Sequence, residues 1–163
     1  MTSSDDPTLS SALRPLRLLL DAMDDDIARL YAERGVSGVR PRFSMALIRL
    51  HHVGPMTVRR LAEQIEVTHS AMSQTVTAMR REGLVDSAPG TDARTRTVAL
   101  TPHGAALVPF LEAEWRATEA AYAALEAELP YALTRVVRDM AGALERRSFH
   151  DRIFEQLPDS ERG

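Results

Sequence analysis

Hydrophobic positions in this chain recur at helical spacing over most of its length. Leu13, Leu16, Leu20, Met23, Ile27, Leu30 and Tyr31 follow one another at steps of mostly three and four, which predicts one apolar helical face within residues 9–34. Pro15 fits that helix only in its first turn, and Gly35 supplies a C-terminal stop. Beyond the loop VSGVRP, Pro41 can open a second helix bearing Phe43, Leu47, Leu50 and Val53, which Gly54-Pro55 ends. Thr57 then reads as an N-cap for a short helix with Val58, Leu61, Ala62 and Ile65 inward. Thr68 repeats the same chemistry for the next helix, where Met72, Val76 and Met79 recur at i, i+4 and i+7. Two short capped helices joined by Glu66-Val67 predict a helix-turn-helix. Gly83 stops the second of them, and Leu84-Val85 with Val98–Leu100 read as two short strands around the polar tip SAPGTDARTR, whose turn is Pro89-Gly90. A hairpin in that position is a wing.

Thr101-Pro102 opens a further helix, and Leu111, Trp115, Thr118, Tyr122, Leu125 and Leu129 alternate steps of four and three. That is a heptad seam, interrupted only by Thr118 and closed by Pro130. The last helix carries Leu133, Val137, Met140 and Leu144 in the same rhythm. Narrow seams on long helices pack against other helices. The expected fold is therefore mainly α: a winged helix-turn-helix with a small β-hairpin wing, plus a helical dimerisation lobe built from the N- and C-terminal helices. The expected division is a polar leader over 1–8, the N-terminal dimerisation helix over 9–40 and the winged region over 41–104. C-terminal dimerisation helices over 105–157 and a tail over 158–163 complete it.

The polar positions of the second helix-turn-helix helix raise the question of function. Opposite its apolar face stand Ser70, Ser73, Gln74 and Thr77, preceded by Thr68 and His69 and followed by Arg80 and Arg81. An ordinary solvated face would carry charge, whereas small hydrogen-bonding side chains suit a surface that must come close to its partner. In a DNA major groove Gln can pair with adenine and Ser or Thr with any base, while arginines at the edges meet phosphates. The wing adds Asp92, Arg94 and Arg96.

Charge is compatible with this reading without requiring it. The net charge is −3, yet residues 36–56 hold three arginines and no acid, and both ends of the chain are acidic. All 20 basic residues are arginine. The absence of cysteine excludes disulfides, thiolate zinc sites and thiol redox switches within the chain. No apolar run approaches the roughly 20 residues of a membrane span, and the first ten residues lack a signal-peptide pattern, so the expectation is a cytoplasmic protein. No phosphate loop, GxSxG or HExxH motif is present, which argues against an enzyme, and no cofactor or metal is expected.

The segment GPMTVRRLAEQIEVTHSAMSQTVTAMRREGLV followed by DARTRTVALTPHG resembles the winged helix-turn-helix of the MarR family of bacterial transcriptional regulators. Asp92-Ala93-Arg94 matches the Asp-x-Arg pattern typical of that family's wing. The resemblance is good over residues 41–106 and less diagnostic in the outer helices. It implies a homodimer on a pseudo-palindromic double-stranded DNA operator. Arg94 would enter the minor groove under restraint by Asp92, and Arg96 would support phosphate contacts. It further implies a repressor released by a small aromatic or phenolic effector bound where the two lobes meet, where His51, His52 and Trp115 are candidate lining residues. A winged-helix adaptor that binds a protein rather than DNA is the alternative.

Overall fold

The computed structural model describes residues 6–89, 96–158 and 160. After a 3-10 turn over Pro7–Leu9, helix α1 runs Arg14–Glu33 with Pro15 in its first turn, where a missing N–H costs nothing. Helix α2 runs Pro41–Val53 and α3 Val58–Gln64. Helix α4 runs His69–Arg81. Both threonine caps form: Thr57 Oγ1 accepts from Arg60 N at 3.2 Å and Thr68 Oγ1 from Ala71 N at 3.2 Å. The tight α3–α4 turn places Glu66 at φ 58, a left-handed conformation that side chains rarely adopt.

Strands β1, Val85–Pro89, and β2, Arg96–Leu100, pair antiparallel with Val85 opposite Leu100 and Ser87 opposite Val98. The strands extend further towards the tip than the apolar residues alone indicate, because backbone pairing continues through Ser87, Ala88 and Thr97. Met56 bonds Val98 in both directions, at 3.2 and 2.8 Å, so the segment between α2 and α3 joins the hairpin edge. Helix α5, Pro102–Ala127, follows.

The chain forms two compact units, divided between Glu114 and Trp115. The core of the first includes Phe43, Leu47, Leu61, Met72, Val76, Met79, Leu84, Val98 and Leu111, with Tyr31 from α1. Leu61, Met72, Val76 and Met79 are inward positions that the sequence spacing selects, whereas Leu111, read as the start of a heptad seam, packs into this core. In the second unit α5 stops at Ala127 rather than running to Pro130. A proline excludes the residue before it from helical geometry, and Glu128 and Leu129 close a tighter turn onto Leu125 O and Glu126 O. Helix α6 spans Leu133–Arg146. A seventh helix absent from the sequence reading, α7, spans Phe149–Gln156, with Ser148 Oγ accepting from Asp151 N at 3.1 Å. Its arrangement on α6 is fixed by Arg152, which donates to Ala143 O at 3.0 Å, and by an Arg147–Glu155 ion pair. Val137, Met140 and Leu144 of α6 and Phe149, Ile153 and Phe154 of α7 remain exposed within this single chain. So do Leu16 and Leu20 on α1 and Leu13 just before it. No helix among the described residues is long and apolar enough to cross a membrane.

Candidate nucleic-acid interface

Helix α4 is clamped by its apolar side: Met72, Val76 and Met79 are each at most 2% exposed. The 100° step of the helix therefore turns Ser70, Ser73, Gln74 and Thr77 outward, and all four are exposed. Among the described residues none hydrogen-bonds the side chains of Ser70, Ser73 or Gln74, whereas the Thr77 hydroxyl donates to Ser73 O at 2.8 Å. Thr68 and His69 stand exposed at the start of the helix, and the Thr68 oxygen is occupied by its capping bond. Arg80 and Arg81 occupy the last turn, where cations complement the helix dipole. Gly83 ends the helix at φ 68 and turns the chain into the hairpin.

The tertiary structure adds two residues that spacing within α4 cannot identify. Arg40 and Arg42, at the N-terminus of α2, line a groove of about 460 Å³ together with Ser73, Gln74, Thr77, Ala78, Arg81 and Glu82. The acid-free stretch over residues 36–56 was the available signal. Among the described residues none of Arg40, Arg42, Arg80 and Arg81 is held in an ion pair, so their charge is available to an anion. A second concavity of about 470 Å³ lies beside the start of α4, lined by Arg59, Ala62, Glu63, Val67 and His69.

In the wing, Arg96 opens β2 and is exposed, while Asp92 and Arg94 lie outside the described residues. His51 and His52 close α2, their rings edge to face with centroids 5.3 Å apart. His52 Nε2 lies 2.6 Å from Glu112 Oε1 on α5, a partnership that the sequence spacing did not indicate. Trp115 belongs to the second unit and is partly exposed. Neither concavity described above includes His51, His52 or Trp115. Among the described residues no three His, Cys, Asp or Glu side chains group to hold a metal ion.

A family profile described as MarR family matches residues 37–95, from the loop before α2 to the wing. A MarR family transcriptional regulator from Silicibacter pomeroyi is 30% identical; the match covers 79% of this chain and 93% of that one, with a TM-score of 0.51. The chain belongs to the MarR family. A probable transcriptional regulator from Pseudomonas aeruginosa is 25% identical, over 79% of this chain and 96% of that one, with a TM-score of 0.52. The MarR fold extends further: MepR of S. aureus, solved as a DNA complex, superposes with a TM-score of 0.61 at 15% identity, covering 84% of this chain and 98% of that one. No curated protein matches the sequence. The profile covers the segment that builds the α2–α4 groove.

Proposed function

We propose that this MarR-family regulator is a cytoplasmic homodimer that binds a pseudo-palindromic operator and represses transcription until a small aromatic or phenolic effector releases it. The observation that carries the DNA-binding reading is the exposed polar face of α4, whose opposite side is buried in the core, flanked by arginines that form no ion pair among the described residues. In this reading Ser70, Ser73, Gln74 and Thr77 meet base edges. Arg40, Arg42, Arg80, Arg81 and Arg96 meet phosphates, with His69 and the Thr68 hydroxyl at the helix start. Arg94, restrained by Asp92, enters the minor groove, whose narrow stretches concentrate negative potential. The DNA complex of the similarly folded MepR supports the assignment. The exposed apolar residues of α1 in the first unit, and those of α6 and α7 in the second, support dimerisation, since exposed apolar faces need cover. His51, His52 and Trp115 are retained as candidate effector contacts, and a ligand reaching His52 would compete with Glu112.

The test is a competition titration on a duplex from the region upstream of the protein's own gene, with salt varied. Tight binding to a short inverted repeat is expected. Arg40→Ala and Arg42→Ala should each reduce the steepness of log affinity against log salt by about 1.8, because about 0.9 is lost per phosphate contact on duplex DNA and a homodimer carries each arginine twice. Arg94→Ala should weaken binding strongly while leaving the dimer folded, and light scattering should find a dimer at micromolar concentration. Binding no tighter than to competitor DNA, by folded dimer at low salt, would favour the protein-binding adaptor instead.

A further inference from the structure

One buried polar cluster takes no part in the proposed DNA contacts. Tyr31 near the end of α1, Ser44 in the first turns of α2 and Glu114 on α5 meet inside the apolar core, at 1%, 1% and 6% exposure. The Tyr31 hydroxyl donates to Glu114 Oε2 at 2.8 Å and lies 2.7 Å from Ser44 Oγ. A phenol has a single proton, so once that proton points at Glu114 the phenol oxygen can only accept from Ser44. The line runs Ser44 to Tyr31 to Glu114 with every donor defined. The Tyr31 ring is held in turn by Phe110, edge to face at 5.6 Å between centroids.

A carboxyl group this deep is costly unless hydrogen-bonded, and apolar side chains of equal volume would serve stability as well or better. What such a line adds is geometry. Apolar surfaces tolerate small slides, whereas hydrogen bonds of 2.7 and 2.8 Å weaken steeply when stretched or bent. Ser44 sits one turn along α2 from Arg40 and half a turn from Arg42, the two arginines that share a groove with Ser73, Gln74, Thr77 and Arg81.

We infer that the Ser44–Tyr31–Glu114 line is a positioning device for the reading head, holding the α2 N-terminus, with Arg40 and Arg42, at a fixed spacing from α4 and tying that spacing to α1 and α5. The inference rests on the DNA-binding reading and adds a means by which a displacement of α1 or α5 would reach the DNA-facing arginines. The three side chains touch no DNA themselves; they act through α2.

The test is a double-mutant cycle on the upstream duplex used above. Tyr31→Phe keeps the ring and removes the hydroxyl, and Ser44→Ala is the second variant should the first prove unstable. In otherwise wild-type protein, shown to be folded by its melting curve, either change should weaken binding about three- to tenfold. In an Arg40→Ala/Arg42→Ala background the same change should have no effect, because the groups it positions are gone. Unchanged affinity in both variants, or an equal loss in both backgrounds, would overturn the inference. Amide exchange over residues 42–46 provides an independent reading: Tyr31→Phe should accelerate it more than exchange elsewhere in the first unit. Should the wild-type protein show no preference for the duplex, the DNA-binding reading falls, and unaltered exchange over residues 42–46 would refute the anchor separately.

Discussion

Gly104→Ala tests how tightly α5 is stitched to the end of the reading helix. Gly104 is buried in the first turn of α5, and a Cβ there would lie 2.0 Å from the backbone oxygen of Leu84. Ordinary van der Waals contact begins at 3.4 Å, so the shortfall is about 1.4 Å, and the obstacle is main chain rather than a side chain that could swing away. The same carbonyl accepts from Thr101 N at 3.1 Å, and the Thr101 hydroxyl donates to Gly83 O at 2.7 Å. Thr101 Oγ1 also caps α5 by accepting from Gly104 N at 3.0 Å, so moving α5 with its cap away from Leu84 would loosen the two bonds to Leu84 O and Gly83 O. Alanine in a helix interior is favoured over glycine by about 1 kcal/mol. Against this stand roughly 1–3 kcal/mol for overpacking and about 1 kcal/mol for each hydrogen bond lost. The expected net effect is a destabilisation of about 1–4 kcal/mol, or about 2–4 °C in melting temperature per kcal/mol for a chain of this size. Urea titration followed by circular dichroism at fixed protein concentration measures it. Gly142→Ala on α6 is the control: its Cβ would meet only Arg146 Nη1 at 3.6 Å, so it should stabilise by roughly 0.5–1 kcal/mol. A Gly104→Ala protein as stable as wild type would refute the close approach of α5 to Leu84.

Thr68→Ala removes the acceptor for Ala71 N and should cost about 1 kcal/mol in the same titration, more than any exposed serine-to-alanine change further along α4. Glu66→Gly should stabilise by about 0.5 kcal/mol, because relief of the left-handed side-chain strain at φ 58 slightly exceeds the entropy gained by the unfolded chain. Burial pushes the Tyr31 phenol above its ordinary range. The unfolded chain then releases this proton first as pH rises, so the stabilisation is intact below about pH 10 and is lost above it at up to about 1.4 kcal/mol per pH unit. Tyr31→Phe should flatten the alkaline limb of the stability curve, and an unaltered limb would show that the phenol ionises as readily in the folded protein as in the unfolded one.

The sequence by itself determined what depends on residues close together in the chain. Thr57 and Thr68 start their helices because a hydroxyl reaches an amide three residues on, and Met72, Val76 and Met79 select the face of α4 that must be buried. Once that face is known, the outward position of Ser70, Ser73, Gln74 and Thr77 follows from the helical step alone. The helix-turn-helix was legible for this reason, while the family was legible from the resemblance of the whole winged segment, including Asp92-Ala93-Arg94. Helix α7 was missed although Ser148 carries the same capping signal as Thr57, because its eight residues offer too short an apolar rhythm to stand out.

Tertiary structure alone decided which distant residues became neighbours. Nothing in the spacing of Arg40 and Arg42 brings them to α4, nor does any local pattern join Tyr31 to Glu114 across 83 residues or His52 to Glu112 across 60. These pairings arise when helices that share one apolar core settle at a particular distance and rotation. That geometry comes from side-chain volumes packing together across the whole unit, whereas the capping and periodic patterns act over a few residues of one segment.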